Sequence, residues 1–534
     1  MKDLKAHISR REWKTVVVVS ILAMLISSIP MLAGMVVAAV DGTHWLGVTA
    51  FAPGDMAAYL ASIAQAGDGT FLFSNLFTTE NLAPTLDIFW LTVGQLARVP
   101  GISSLVAFHV FRILLIPLFV SATFVCISCF LSSPRKRIVA LLLFTFSSGI
   151  GVYFSGLFTQ RGFGGVYEYP IDLWVAESNP LMTMIHSPHF VASFTLLIAV
   201  AALLYRALER SSYRTGVLAG IAALALFQFH PFHAPTLFAV AGVFVIIRKW
   251  RDPASWRILL IFMTLSSPAV IYHFMRLHAD SVSESMLAAN LTITPHPLHL
   301  LLGFGMLWVL AVIGIVTSRK TMQKDAWLFL VTWLVVQLVL VYSPLTFQRR
   351  LLEGLFFPLA VFGATGVVVI YERMKGMRWI SEAVRNGSGV ALAVILLLPS
   401  SAFAVMRNID LFVVNDPQIF FVTDDESEAM RWIDDNLGAV DVIAATFGSG
   451  NRIAGWSGRR VYAGHWVNTI DAESKDVELN WLFSSHDVEA QRAFMRAKGI
   501  THVYIGERER VLGGDFTWMT PVHVSATVSV YALE

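Results

Sequence analysis

The stretch from Thr15 to Ala38 reads TVVVVSILAMLISSIPMLAGMVVA and contains no charged side chain. Hydrocarbon about 30 Å thick asks for roughly 20 apolar helical residues, because lipid offers no partner to a bare backbone N–H or C=O. The stretch therefore predicts a membrane helix. It is long for a signal peptide and no clean Ala-x-Ala-like site follows, so it reads as the first span rather than a cleaved leader. Ten further apolar runs follow, near residues 106–131, 138–155, 189–205, 215–230, 232–247, 257–274, 298–317, 326–342, 351–371 and 388–406. The two around 215–247 are short, and only His230-Pro231-Phe232-His233 separates them.

Composition agrees with a polytopic α-helical membrane protein of about eleven spans. The 534 residues are 56% hydrophobic and 14% charged, against about 25% charged in soluble domains, and mean hydropathy is +0.64. A soluble globular enzyme is excluded. Aromatics at 12% and only two cysteines also exclude a disordered chain and a disulfide-stapled module.

Basic residues orient the spans, since Lys and Arg gather in short cytoplasmic loops. With the N-terminus inside, 22 of them fall in cytoplasmic segments, among them Lys2, Lys5, Arg135, Lys136, Arg137, Arg378 and Arg385. The opposite loops hold five: Arg98, Arg161, Arg276, Arg349 and Arg350. Residues 1–406 are thus expected to form the membrane part, with the C-terminus outside. Residues 407–534 carry 11 basic and 19 acidic side chains, a net of −8. There Asp424–Leu437 and Asp487–Lys498 read as helices and Val440–Ala445 and Thr501–Ile505 as strands, which predicts an extracytoplasmic α/β domain.

Two outer loops are long enough to carry function, about 39–105 and 156–188. In the first, Pro53-Gly54-Asp55 sets a carboxylate just before a helix, as an N-cap, a reactive acid, or both. The second, polar and Pro/Gly-punctuated, brings Arg161, Glu168, Asp172, Glu177, His186 and His189. His186 and His189 are three apart, on one face if helical, and with Glu177 could bind a divalent metal; interfacial hydrogen-bonded histidines are the simpler reading. His230 and His233 flank the tip of the short helix pair and could reach a cavity, or pack a helix end. Arg349 and Arg350, adjacent at headgroup depth, suit a phosphate or anionic lipid headgroups. Arg112 lies inside an apolar run, a functional position unless it snorkels or pairs. Cys126 and Cys129 read as packing residues of a membrane helix. Gly448-Ser449-Gly450 fails the G-x-G-x-x-G spacing, nothing resembles a P-loop, and no internal repeat marks a secondary transporter.

At Gly54-Asp55-Met56-Ala57-Ala58-Tyr59 the chain resembles the GT-C glycosyltransferase superfamily, which includes protein O-mannosyltransferases, aminoarabinose transferases and oligosaccharyltransferases. The textual similarity runs through Tyr59 to Glu80, Gln348-Arg349-Arg350-Leu351-Leu352-Glu353-Gly354, Val461-Tyr462-Ala463-Gly464-His465-Trp466 and Gly499–Gly506. The resemblance implies a GT-C-like membrane domain in a bacterial cytoplasmic (inner) membrane, with Asp55 as catalytic carboxylate. Many mannosyltransferases carry two adjacent acids there, whereas Gly54 and Met56 flank Asp55. A second acid is expected from Glu80 or Glu177. Some superfamily members need a divalent ion, so Mg2+ or Mn2+ is the candidate cofactor, with Asp55, Glu177, His186 and His189 as candidate ligands.

Nucleotide sugars are cytoplasmic, so an outward-facing transfer site needs a donor already moved across the membrane, such as a polyprenyl-phosphate sugar. Its tail would lie among helices and membrane lipids. Arg349, Arg350 and Arg112 are the expected phosphate ligands, and Tyr59, Glu80, Arg161, Glu177, His186, His189, His230 and His233 are expected to line the substrate cavity. Asp55 would take the proton of an extracytoplasmic acceptor, a glycan, lipid or protein, in an inverting displacement. A lipid-linked glycan transporter or flippase, or a non-catalytic scaffold of envelope glycan assembly, is the alternative. An acidic outer domain makes nucleic acid no partner.

Overall fold

The computed structural model describes residues 8–49, 51–158, 168–279, 291–375, 389, 391, 393–414 and 417–534. Seven helices among them are long and apolar enough to cross a membrane: Arg10–Asp41, Ser104–Phe130, Pro134–Leu157, Pro188–Arg210, Pro231–Arg248, Pro253–Leu277 and Gln348–Lys375. An eighth span is counted if Pro297–Phe304 and Met306–Ser318 are taken together, although they meet at 82°. Gly305 makes that corner with φ +47° and ψ −126°, a conformation that glycine adopts without a Cβ penalty. The apolar runs at 215–230 and 326–342 become the 17-residue helices Tyr213–Phe229 and Lys324–Leu340. The break expected at His230-Pro231-Phe232-His233 is present as one 3-10 turn, Pro231–His233. The run at 388–406 falls partly outside the described residues, as do Lys2, Lys5, Arg161, Arg378 and Arg385.

The chain divides into two compact units. One comprises Met1–Pro30, Arg112–Met275 and Leu291–Arg407. Its core is aromatic and tightly interlocked, with Phe119, Phe144 and Phe194 meeting pairwise at centroid distances of 5.4 Å. Arg137 and Glu12 form an ion pair of 3.1 Å within it, both side chains buried.

The other unit joins Met31–Phe111 to Asn408–Glu534, with a short stretch beginning at Arg276. Strand β1 (His44–Trp45) pairs antiparallel with β2 (Phe421–Val422). A five-stranded sheet contains β3 (Val442–Ala444), β4 (Arg460–Val461), β5 (His502–Ile505), β6 (Thr520–Val524) and β7 (Ser529–Ala532), in the order β4-β3-β5-β7-β6. β3 is parallel to both β4 and β5, while β7 returns antiparallel to β5 and β6. Thr423 and Glu426 form a capping box that starts the helix Asp424–Asn436. Asp487 caps Val488–Lys498 by accepting from the Ala490 N–H at 3.1 Å. Both helices and both strands read from the sequence of this region are therefore present.

Candidate active site

Parallel strands bring their carboxyl ends to one edge, where open α/β sheets hold ligands. The segments leaving those ends supply Phe447 and Gly448 after β3, Gly464–Val467 after β4 and Arg508 beyond β5. Asp55 joins them from the helix Pro53–Gly67, around a cavity of about 360 Å³ whose walls include Asn451, Arg452 and Trp456. Glu509 ties together the segments that follow β3 and β5: its carboxylate accepts from the Thr446 N–H at 2.8 Å, the Thr446 hydroxyl at 2.7 Å and the Gly506 N–H at 3.0 Å.

Local chemistry explains how Asp55 reaches this place. Pro53 is suited to the first position of a helix, where its missing N–H is not needed, so the helix begins before Asp55 and not after it. Asp55 is consequently in the first turn, where negative charge is favoured, and the expected N-cap position belongs to Ala52, whose side chain caps nothing. Ala52 is left-handed at φ 48° immediately before a proline, a strained combination for a residue with a Cβ. Asn451 Nδ2 donates to the Gly54 carbonyl at 3.3 Å. Gly455 lets the helix Phe447–Ser457 close on Ala57; a Cβ there would stand 2.7 Å from the Ala57 Cα.

His465 Nε2 lies 3.4 Å from Asp55 Oδ1. Its Nδ1 accepts from the N–H groups of Val467 and Asn468, each at 3.2 Å. Two donors aimed at Nδ1 leave it unprotonated, so the ring proton sits on Nε2 and points toward the carboxylate. Thr469 holds the turn, accepting from Gly464 and His465 N–H at 3.1 Å and donating to the Phe77 carbonyl at 2.8 Å. Arg452 pairs with Glu426 at 3.3 Å. Trp466 stacks on Phe447 at 4.3 Å yet is 60% exposed, an aromatic face presented at the cavity.

Glu80 does not join Asp55 on the cavity wall; it accepts from Lys475 Nζ at 2.7 Å and from the Thr78 hydroxyl. Burial pushes its carboxyl up, but Lys475 and Thr78 more than offset this and hold it below the ordinary value. A carboxyl lowered on folding adds stability above its unfolded value near 4.5 and loses it as pH falls through the folded one. We expect Lys475→Met to lower the thermal midpoint at pH 7, with the gap to wild type closing on acidification toward pH 3; a gap unchanged with pH would remove the ion pair from the account. Tyr59 stacks on Trp90 at 5.0 Å and Phe108 at 6.4 Å, among the packed aromatics rather than on the cavity wall.

In the other unit, Arg349 and Arg350 belong to the 3-10 turn Gln348–Leu352. The Arg349 guanidinium lies over Trp174 at 4.6 Å and that of Arg350 over Phe232 at 4.7 Å, so both are held in place by aromatic faces. Arg112 is buried, and its Nη1 donates to the carbonyls of Ser27 at 3.3 Å and Met184 at 3.1 Å, a tie between helices. His186 and His189 do not share a helix face. Ser187 is extended and Pro188 starts a new helix, so His186 ends Pro180–His186 while His189 lies in the first turn of Pro188–Arg210. The His189 Nδ1 meets the Ser187 hydroxyl at 2.7 Å. Glu177 is buried in the turn Ala176–Ser178. Asp172 is also buried, beneath the Gly151 N–H at 3.0 Å, and burial pushes its carboxyl up to about 6.

Among the described residues, the one cluster of three or more His, Cys or acidic side chains able to gather on an ion is His230, His233 and Glu353, a different set from the candidate ligands Asp55, Glu177, His186 and His189. An apolar cavity of roughly 950 Å³ lies in the same unit, lined by Leu22, Leu142, Phe146, Met306, Leu310 and Val405.

No protein-family model and no curated protein matches the chain. Solved structures do. The Archaeoglobus fulgidus oligosaccharyltransferase AglB, in complex with an inhibitory peptide and a dolichol-phosphate, superposes with a TM-score of 0.55 at 11% identity, over 93% of this chain and 70% of that one. The same oligosaccharyltransferase with Zn and sulfate gives 0.54 at 12%, over 91% and 67%. ArnT from Cupriavidus metallidurans, bound to undecaprenyl phosphate, gives 0.51 at 10%, over 95% and 97%. At these identities the likeness is one of fold.

Proposed function

We propose, for a chain that has the fold of the GT-C membrane glycosyltransferases, that it transfers a sugar from a polyprenyl-phosphate donor to an extracytoplasmic acceptor. The observation that carries this reading is Asp55, set by a proline-started helix into a cavity at the carboxyl ends of parallel strands, with the Nε2–H of His465 turned to it. In the reaction the acceptor oxygen attacks the anomeric carbon while Asp55 takes its proton. The bond from that carbon to the phosphate oxygen breaks, and the polyprenyl phosphate leaves with the electron pair. His465 is a positioning residue. With Nδ1 engaged by backbone donors, it turns Nε2–H toward the carboxylate and orients it. Trp466 offers the flat apolar face on which a sugar ring packs.

The two arginines of the Gln348–Leu352 turn are assigned to the donor phosphate, and the apolar cavity to its lipid tail. That solved structures of the same fold hold dolichol-phosphate and undecaprenyl phosphate supports this choice. We assign the protein to a bacterial inner membrane with the Asp55 cavity outside. Arg349→Ala is expected to weaken donor binding by about tenfold or more, the worth of a charge-assisted hydrogen bond; equal affinity would make that arginine a general membrane anchor.

The reading is tested with wild type in nanodiscs, a panel of polyprenyl-phosphate sugars and an acceptor extract, following bound lipid and released polyprenyl phosphate by mass spectrometry. Release that depends on the extract supports transfer and identifies the donor. Failure to bind any donor overturns it in favour of lipid-linked glycan transport or scaffolding.

A further inference from the structure

We infer that His230, His233 and Glu353 bind one divalent transition-metal ion of the zinc class. All three side chains are buried, and their ligand atoms lie within 4.8 Å of one another. His233 Nε2 stands 3.1 Å from Glu353 Oε2, and the two imidazoles stack at 4.6 Å with 20° between their planes. The sequence assembles them from two places: the histidines bracket the break between Tyr213–Phe229 and Ala234–Arg248, and Glu353 follows the turn Gln348–Leu352.

Unmet polar atoms point to the ion. Both ring nitrogens of His230, both of His233 and Glu353 Oε2 have no hydrogen-bond partner among the described residues. Buried polar groups in folded proteins are nearly always partnered, so these orphaned atoms, with one from each residue lying within 4.8 Å of the others, call for a ligand. A proton shared between His233 and Glu353 would account for two of the five and leave both nitrogens of His230 unmet.

The carboxylate is fixed as a metal ligand is, through its outer contacts. Glu353 Oε1 accepts from the Ser193 hydroxyl at 2.7 Å, which turns Oε2 toward the imidazoles. The Glu353 carbonyl accepts from Gln337 Nε2 at 2.6 Å, and Gln337 Oε1 in turn accepts from Trp333 Nε1 at 2.7 Å. Two imidazoles and a carboxylate suit zinc, cobalt or nickel rather than magnesium, which prefers an all-oxygen shell. Three protein ligands leave a fourth position open. Neighbouring donors of a tetrahedral zinc site stand roughly 3.3 Å apart, so small side-chain rotations close the cluster on an ion. The inference is independent of glycosyl transfer.

The test uses the full chain in detergent, stripped with a chelator and reloaded with Zn2+ or Co2+. Elemental analysis is expected to find about one equivalent of zinc per chain, cobalt to give the visible bands of a low-symmetry site, and zinc to raise the melting temperature of stripped protein. Glu353→Gln and His233→Gln, both close in shape to the original, are expected to lose at least four-fifths of the bound metal and the zinc-dependent shift. Wild type that retains no metal after reloading overturns the proposal, as do variants that retain all of it. Should the variants fail to fold, X-ray absorption of zinc-loaded wild type decides: about two imidazoles per ion supports the site, and none overturns it.

Discussion

Asp55→Asn is expected to lower the rate of polyprenyl phosphate release by about 10²–10⁴-fold, the usual contribution of a positioned general base, while donor binding changes little. Asparagine keeps the shape of the side chain but cannot take a proton. Its carbonyl oxygen can still accept from the Nε2–H of His465, now 3.4 Å from Oδ1, so the geometry of the cavity should survive. His465→Ala removes the orienting contact and leaves the base, so its loss should be smaller, about tenfold. The two variants together separate a base from its support: Asp55→Asn acts on the chemical step, and His465→Ala on the fraction of time the carboxylate is aimed. Unaltered turnover in Asp55→Asn, measured by mass spectrometry of the released lipid, would remove Asp55 from the mechanism.

The largest expected effect on stability lies far from that cavity in sequence. Arg137→Met should destabilise the protein by about 3–5 kcal/mol, because it leaves the carboxylate of Glu12 buried without its cation. Arg137 Nη1 meets Glu12 Oε1 at 3.1 Å, while its Nε and Nη2 donate to the carbonyls of Leu131 at 2.7 Å and Ser132 at 2.9 Å. Three bonds thus join the first long helix, the end of Ser104–Phe130 and the start of Pro134–Phe146. Adding Glu12→Gln to the variant removes the stranded charge and should recover a large part of the loss. Melting temperatures of the two single variants and the double in detergent check this; a double variant as unstable as Arg137→Met would place the cost in the lost carbonyl contacts instead.

Much of the fold was legible because apolar length and charge bias are properties of contiguous residues. The helix pair around His230 to His233 and the helices and strands of residues 424–505 announce themselves by local pattern. His465 did not. It lies in a stretch that resembles a superfamily motif, but only the parallel order of β4-β3-β5 carries its turn to Asp55. Glu353 was likewise hidden among apolar residues, and its partnership with His230 and His233 depends on packing that no spacing rule encodes. Glu80 is the opposite case. An acid in a long outer loop invites a catalytic role, yet Lys475, almost 400 residues later, claims it. Between His186 and His189 a single proline ends one helix and starts another, so a spacing of three does not set them on one face.

The second unit joins Met31–Phe111 to Asn408–Glu534, segments about 300 residues apart, which sets a timetable for its assembly. Asp55 leaves the ribosome about 410 residues before His465, and at 5–20 residues per second that is a wait of roughly 20 to 80 s. For that interval the helix Pro53–Gly67 exists without Gly455 to receive Ala57 and without the turn that Thr469 holds against Phe77. A nascent chain interrupted between Asp55 and His465 therefore carries its carboxylate but not the cavity around it, and the cell never has a half-made chain with a finished site.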